Sequence, residues 1–128
     1  MNKEFILYEQ AFELKELGFD EPCIAIYNTV DKLLTKYSIP EESNDETDFV
    51  ITANDFNDST WVTAPLYQQA FRWFREKYNI THLIKKERGL NYEYDFNDGA
   101  NNYYGVRDTY EEAELACLKK LIEIVKNK

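Results

Sequence analysis

Apolar positions fall at helical spacing in three stretches, with shorter alternating runs between them. The clearest helical stretch is Thr63–Asn79. Leu66, Ala70 and Trp73 form one row, and Tyr67, Phe71, Phe74 and Tyr78 an adjacent one. Gln68, Gln69, Arg72, Arg75, Glu76 and Lys77 fall elsewhere. An apolar arc this wide predicts a helix buried on more than one side. Its expected start has Thr63 as the cap, Pro65 in the first turn, and Val62 with Tyr67 as a hydrophobic staple. Asn79 supplies a left-handed stop.

Upstream, Phe5, Tyr8, Ala11, Phe12, Leu7 and Leu14 predict a helix from about Lys3 to Leu17. Gly18 fits the position just past its cap, Phe19 can fold back on Leu14, and Pro22 forbids continuation. Cys23–Tyr27 is short, apolar and partly β-branched, and reads as a strand. Asn28–Asp31 reads as a turn, and Lys32–Tyr37 as a return strand or a helical turn. Phe49–Thr52 is a further candidate strand. Asn54–Thr60 reads as a loop leading to Trp61 and the central helix.

Downstream, Ile80–Lys85 reads as a strand and Gly89 as a turn. Tyr92, Tyr94 and Phe96 alternate with Glu93 and Asp95, the pattern of a half-buried strand. Asn97–Asn102 is a hairpin connection around Asp98-Gly99, and Tyr103–Arg107 the last strand. Thr109-Tyr-Glu-Glu112 is a capping box. It opens a helix whose buried face is Ala113, Cys117, Leu118, Leu121, Ile122 and Val125. Its acids come early (Glu111, Glu112, Glu114) and its lysines late (Lys119, Lys120, Lys126, Lys128), which suits the helix dipole. The predicted fold is α+β, three helices packed on antiparallel sheet in the order α-β-β-(β)-α-β-β-β-α. One domain, 1–128, is expected, with possible halves 1–60 and 61–128. Ala11-Phe12 and Ala70-Phe71 each precede a helix stop, a hydrophobic residue and a strand, a possible αβββ pseudo-repeat.

At 30% charged and 16% aromatic residues, the 128-residue chain is too aromatic for disorder and too polar for a membrane protein. No apolar run approaches the roughly 20 residues that span a bilayer. Met1–Phe5 lacks the basic-then-apolar order of a signal peptide. Cys23 and Cys117 are an unpatterned pair of the kind found buried in a reduced cytoplasm, the expected location. The net charge is −9, distributed as −10 over residues 1–62 and +1 over 63–128. Much of the acidity lies in Glu41–Asp58, with seven acids and no base.

Candidate chemistry is sparse. His82 is the single histidine, on the face of Ile80 and Ile84, at the core or at the edge of a pocket. Its pairing with Cys23 in space is left open. No nucleophile elbow, glycine-rich loop or His/Cys cluster supports an enzyme, and no cofactor or metal is expected. Asp95-Phe-Asn97-Asp98-Gly99 has its glycine one place early for a calcium loop and reads as a turn. Arg72, Arg75, Lys77, Lys85, Lys86 and Arg88 make residues 72–88 the basic region of an acidic chain. The α-β-β-β-α order around them is that of a double-stranded RNA-binding domain, in which lysines at the start of the last helix contact phosphate. Here Asp108, Glu111, Glu112 and Glu114 hold that position, so nucleic-acid binding is not expected. Tyr103 and Tyr104 must point in opposite directions, leaving tyrosine surface for a protein partner.

Three segments carry a resemblance: Leu14–Cys23; Thr63-Ala-Pro with Trp73-Phe-Arg-Glu76; and Thr109–Ala113 with Leu121–Val125. Together they resemble a family of small uncharacterised proteins from prophages and mobile elements of Bacteroides-type gut bacteria. The resemblance covers about two-thirds of the chain. It implies a small phage-type accessory protein and supplies no activity or functional residues. The expected function is non-enzymatic protein binding, with Arg72, Arg75, Lys77, Lys85, Lys86, Arg88, Tyr103 and Tyr104 as candidate partner-binding residues. The alternative is an acidic nucleic-acid mimic that inhibits a host DNA-binding protein through Glu41, Glu42, Asp45, Glu46, Asp48, Asp55 and Asp58.

Overall fold

A computed structural model of the chain describes residues 2–36, 60–87, 89 and 91–127. A 3-10 turn, Asn2–Glu4, is followed by α1 (Tyr8–Glu16), β1 (Ala25–Asn28), β2 (Leu34–Lys36) and β3 (Trp61–Thr63). Then come α2 (Tyr67–Tyr78), β4 (His82–Lys86), β5 (Tyr92–Asn97), β6 (Asn102–Arg107) and α3 (Tyr110–Lys126). The fold is α+β in the predicted order, with the described strands in two antiparallel sheets, β2-β1-β3 and β4-β5-β6. Among the described residues, no helix is long and apolar enough to cross a membrane. The chain divides into two compact units between Leu66 and Tyr67.

In the unit Asn2–Leu66, α1 ends as its sequence predicts. Gly18 is left-handed (φ 98°), where a side chain would clash. The N–H groups of Gly18 and Phe19 donate back to the carbonyls of Lys15 (3.1 Å) and Leu14 (2.9 Å), and Leu14 and Phe19 are both buried. The start of α1 differs from the expectation of about Lys3. Phe5 bridges Leu66 in extended geometry and Ile6 N–H donates to Pro65 O at 3.1 Å, so these residues are held as extended chain instead of joining the helix. The buried face of α1 is Gln10, Ala11 and Leu14, leaving Leu7 and Phe12 exposed.

The expected cap at Thr63 is also corrected. Trp61–Thr63 is a strand, with Ile26 opposite Thr63 and Tyr27 opposite Val62. Ala64 N–H continues the pairing to Ala25 O at 2.9 Å. Thr63 and Pro65 are therefore buried extended chain, and α2 begins only at Tyr67. The staple of Val62 with Tyr67 falls with the cap. Further long-range bonds tie this unit together. Tyr27 Oη donates to Ile6 O (2.7 Å, buried), Lys15 Nζ to Trp61 O (3.0 Å), and Thr29 N–H to Thr60 O (2.8 Å). The candidate strand Phe49–Thr52 lies outside the described residues.

In the unit beginning at Tyr67, α2 buries Tyr67, Ala70, Phe71, Trp73 and Phe74. At about 100° per residue these span an arc of about 160°, the wide face read from the sequence. Asn79 (φ 57°) ends the helix, its short polar side chain making the left-handed region accessible. The β4-β5-β6 sheet is a meander, with Ile84 opposite Tyr94 and Tyr94 opposite Gly105. In the β5–β6 hairpin, Asn97 Oδ1 accepts from Gly99 N–H (2.6 Å), and Asp98 Oδ1 accepts from Ala100 (2.9 Å) and Asn101 (2.8 Å). Thr109 caps α3, its hydroxyl accepting from Glu112 N–H at 3.1 Å. The predicted face of α3 is buried residue for residue. Both units show the helix–stop–strand echo. Their described sheets are connected differently, however: the first strand is central in one and the second in the other.

Candidate functional site

Strand alternation gives the β4-β5-β6 sheet two faces. Tyr94 and Phe96 lie on the buried one, toward α3. On the outer face the register sets two rows, Leu83–Asp95–Tyr104 and Lys85–Glu93–Val106. Three apolar side chains stand exposed there: Tyr104 at 73%, Leu83 at 53% and Val106 at 45%. Lys85 Nζ lies 3.4 Å from Glu93 and 3.8 Å from Glu87, and these carboxylates hold its pKa above the ordinary lysine value, Glu93 most strongly. The outer face thus combines exposed apolar side chains with a charged pair and a central aspartate.

The described members of the predicted basic set do not share one face. Arg72, Arg75 and Lys77 are exposed on α2, with the Lys77 ammonium 4.9 Å from the centroid of Trp73. Lys85 joins the outer sheet face, while Lys86, next in the strand, has the opposite parity. Of the two predicted tyrosines, Tyr104 is the outward one. Tyr103 is half-buried, stacked on Phe96 at 5.1 Å, and its hydroxyl donates to Asp98 at 3.3 Å. Arg88 and the whole acidic set (Glu41, Glu42, Asp45, Glu46, Asp48, Asp55, Asp58) lie outside the described residues.

A second surface was not anticipated from the sequence. A groove of about 350 Å³ runs between β6 and α3, with Arg107 from the strand, Leu115, Ala116, Lys119 and Lys120 from the helix, and Tyr94 lining it. Glu112 and Glu123 complete the helical stripe. Gly105 makes Tyr94 reachable from β6. An ideal Cβ there would lie 2.8 Å from Tyr94 Cζ and 2.9 Å from its hydroxyl oxygen, so the ring occupies the space of a missing side chain. The sequence signals available were a glycine inside an alternating strand, which marks close approach, and the stripe 112-115/116-119/120-123 opposite the buried face of α3.

The titratable groups are tuned by burial. His82 stacks on Phe71, with centroids 3.7 Å apart and planes at 15°. Desolvation, then the charge of Arg75, lowers its pKa to about 4, so the ring is neutral at pH 7. Cys23 and Cys117 are buried, and desolvation pushes both thiols up to about 12. Cys23 Sγ donates to Glu21 O at 3.4 Å. Thiols so placed are not activated nucleophiles. Glu114, on α3, is raised to about 7 by desolvation and then by Glu111. Among the described residues, no group of three or more His, Cys, Asp or Glu is placed to hold a metal ion.

The unit's α-β-β-β-α order matches that of a double-stranded RNA-binding domain, with carboxylates at the start of its last helix. No family model, curated protein or solved structure matches the chain.

Proposed function

We propose that the chain is an accessory protein, of the phage or mobile-element type its sequence resembles, that works by binding another protein. The observation that carries this reading is the outer face of β4-β5-β6, where Leu83, Tyr104 and Val106 are exposed together. Single exposed apolar residues are ordinary, but three on one rigid sheet face, surrounded by charge, have the make-up of a binding surface. Tyr104 is the natural anchor: it offers a large amphipathic ring and has few rotamers to lose. Burying such a side chain contributes about 1.5–3 kcal/mol, a factor of roughly 10 to 100 in affinity.

The test is affinity capture from a lysate of the cells that make the protein, using the wild-type chain and the variant Leu83→Asp/Tyr104→Asp. Both exchanges are on exposed positions, and the variant's melting curve reports its fold. Loss of one captured protein with the fold unchanged supports the reading. If capture survives this variant and is abolished only by charge reversal across Glu41–Asp58, the acidic-mimic reading replaces it.

A further inference from the structure

We infer that the groove between β6 and α3 receives an extended acidic segment of a partner protein, added to the sheet as a fourth strand beside β6. This inference stands apart from the outer-face reading, because it concerns the edge of the sheet and not its face.

The two edges of the β4-β5-β6 sheet are built differently. Sheets that avoid pairing with other chains guard their edges with lysine, proline or bulges. β4 carries Lys85 and Lys86. β6 reads Asn-Tyr-Tyr-Gly-Val-Arg, with no proline or lysine and its one charge at the last position. Among the described residues, β6 pairs only with β5, so alternate backbone N–H and C=O groups along its other side lack a strand partner, although Val106 O accepts from Arg107 Nη1 at 2.8 Å.

Beside that edge lies a trough of matching length. The groove-lining stripe of α3 runs from Glu112 to Glu123. At 1.5 Å per residue this is about 16 Å, the length of about five residues of extended chain at 3.3 Å each. An edge strand flanked by a helix is the arrangement in which peptides add as strands, with backbone bonds giving affinity and side-chain pockets giving selectivity.

The lining selects the occupant. Tyr94, Leu115 and Ala116 offer an apolar middle. At one end stand Lys119 and Lys120, the latter 3.5 Å from Glu123. At the other stands Glu112 of α3, and Arg107 lines the groove from β6. The lining carries three cations against two carboxylates, a positive balance in a chain of net charge −9. An extended segment fits whose inward-facing residues, two apart, run acidic–apolar–acidic: the apolar one over Tyr94 and Leu115, the carboxylates toward Lys119 and Arg107.

The experiment uses the full chain, labelled with nitrogen-15, and an N-acetylated heptapeptide, Thr-Glu-Thr-Val-Thr-Glu-Thr, whose alternate residues present glutamate, valine and glutamate on one face. Titration should give saturable shifts of the amides in Asn102–Arg107 and in α3 around Ala116–Lys120. Methylating one set of alternate peptide nitrogens should weaken binding at least about tenfold, and methylating the other set should not, because an added strand bonds through one edge only. The same peptide with lysine in place of glutamate and the Lys119→Glu/Lys120→Glu variant should each lose at least about tenfold. Absence of saturable shifts at millimolar peptide overturns the inference. So does equal tolerance of both methylation patterns, or equal binding of the lysine peptide.

Discussion

Gly105→Ala isolates the contact on which the groove depends. The added methyl would lie 2.8 Å from Tyr94 Cζ and 2.9 Å from its hydroxyl oxygen, inside van der Waals contact. Tyr94 is buried and packs beside Phe96, with centroids 6.4 Å apart, so the ring cannot swing aside without disturbing the core. Overpacking of this kind costs about 1–3 kcal/mol. Restricting the unfolded chain returns about 0.4–1 kcal/mol. The net expectation is a loss of about 1–2 kcal/mol. With an unfolding entropy of about 2.1 cal/mol/K per residue, the 128-residue chain should melt about 4–7 °C lower. The assay is a thermal melt followed by near-ultraviolet circular dichroism, which also reports the tyrosine environment. A double-mutant cycle with Tyr94→Leu assigns the cause: with the ring gone, Gly105→Ala should become neutral or stabilising. An unchanged or raised melting temperature for Gly105→Ala alone, or a cost that persists beside Leu at 94, would refute the contact.

The other predictions concern buried polar groups. His82 should titrate near 4 by nuclear magnetic resonance; because its folded pKa lies below the ordinary 6.5, it removes stability as pH falls from about 6.5 toward 4, and titration near 6.5 would contradict the stacked, desolvated placement. Glu114 works in the opposite sense: raised from 4.5 to about 7, it favours folding at low pH, and that contribution is lost as pH rises through 7. Glu114→Gln should therefore stabilise the chain at pH 8 relative to wild type and leave the comparison flat at pH 4, as urea midpoints would show. Gln10 is buried with its Oε1 unpartnered, so Gln10→Met should gain about 1 kcal/mol, and a loss of that size would reveal a partner for the oxygen. Cys23 and Cys117 should resist an aromatic disulfide reagent at pH 8 until urea unfolds the chain, and fast native labelling of either would contradict burial.

Local signals in the sequence carried much of the fold. The left-handed stops at Gly18 and Asn79, the Asn97–Asn102 hairpin and the cap and face of α3 all depend on residues within a few positions of each other, where turn and capping chemistry is decisive. β3 is the contrary case. Thr63-Ala-Pro has the composition of a helix start, but Thr63 is held by Ile26, whose pairing nothing local encodes. Phe5 and Ile6 likewise follow Leu66 and Pro65 into extended geometry instead of joining α1. On the candidate surfaces, alternation correctly set Tyr103 against Tyr104. The clustering of Leu83 with Tyr104 and Val106 needed the register of three strands. The groove needed more: Lys119 and Lys120 look like dipole-matched lysines in sequence, and their sharing a groove with Arg107 depends on how α3 lies along β6.

Site-specific photocrosslinking tests the proposed binding function most directly. A photoreactive phenylalanine analogue is placed at position 104 on the outer sheet face, and at position 76 on the exposed side of α2 as a control. Position 104 should trap one defined protein in the producing cells, and Leu83→Asp should abolish that adduct. Trapping at position 76 with none at 104, or an adduct at 104 indifferent to Leu83→Asp, would contradict the proposal that this face is the binding surface.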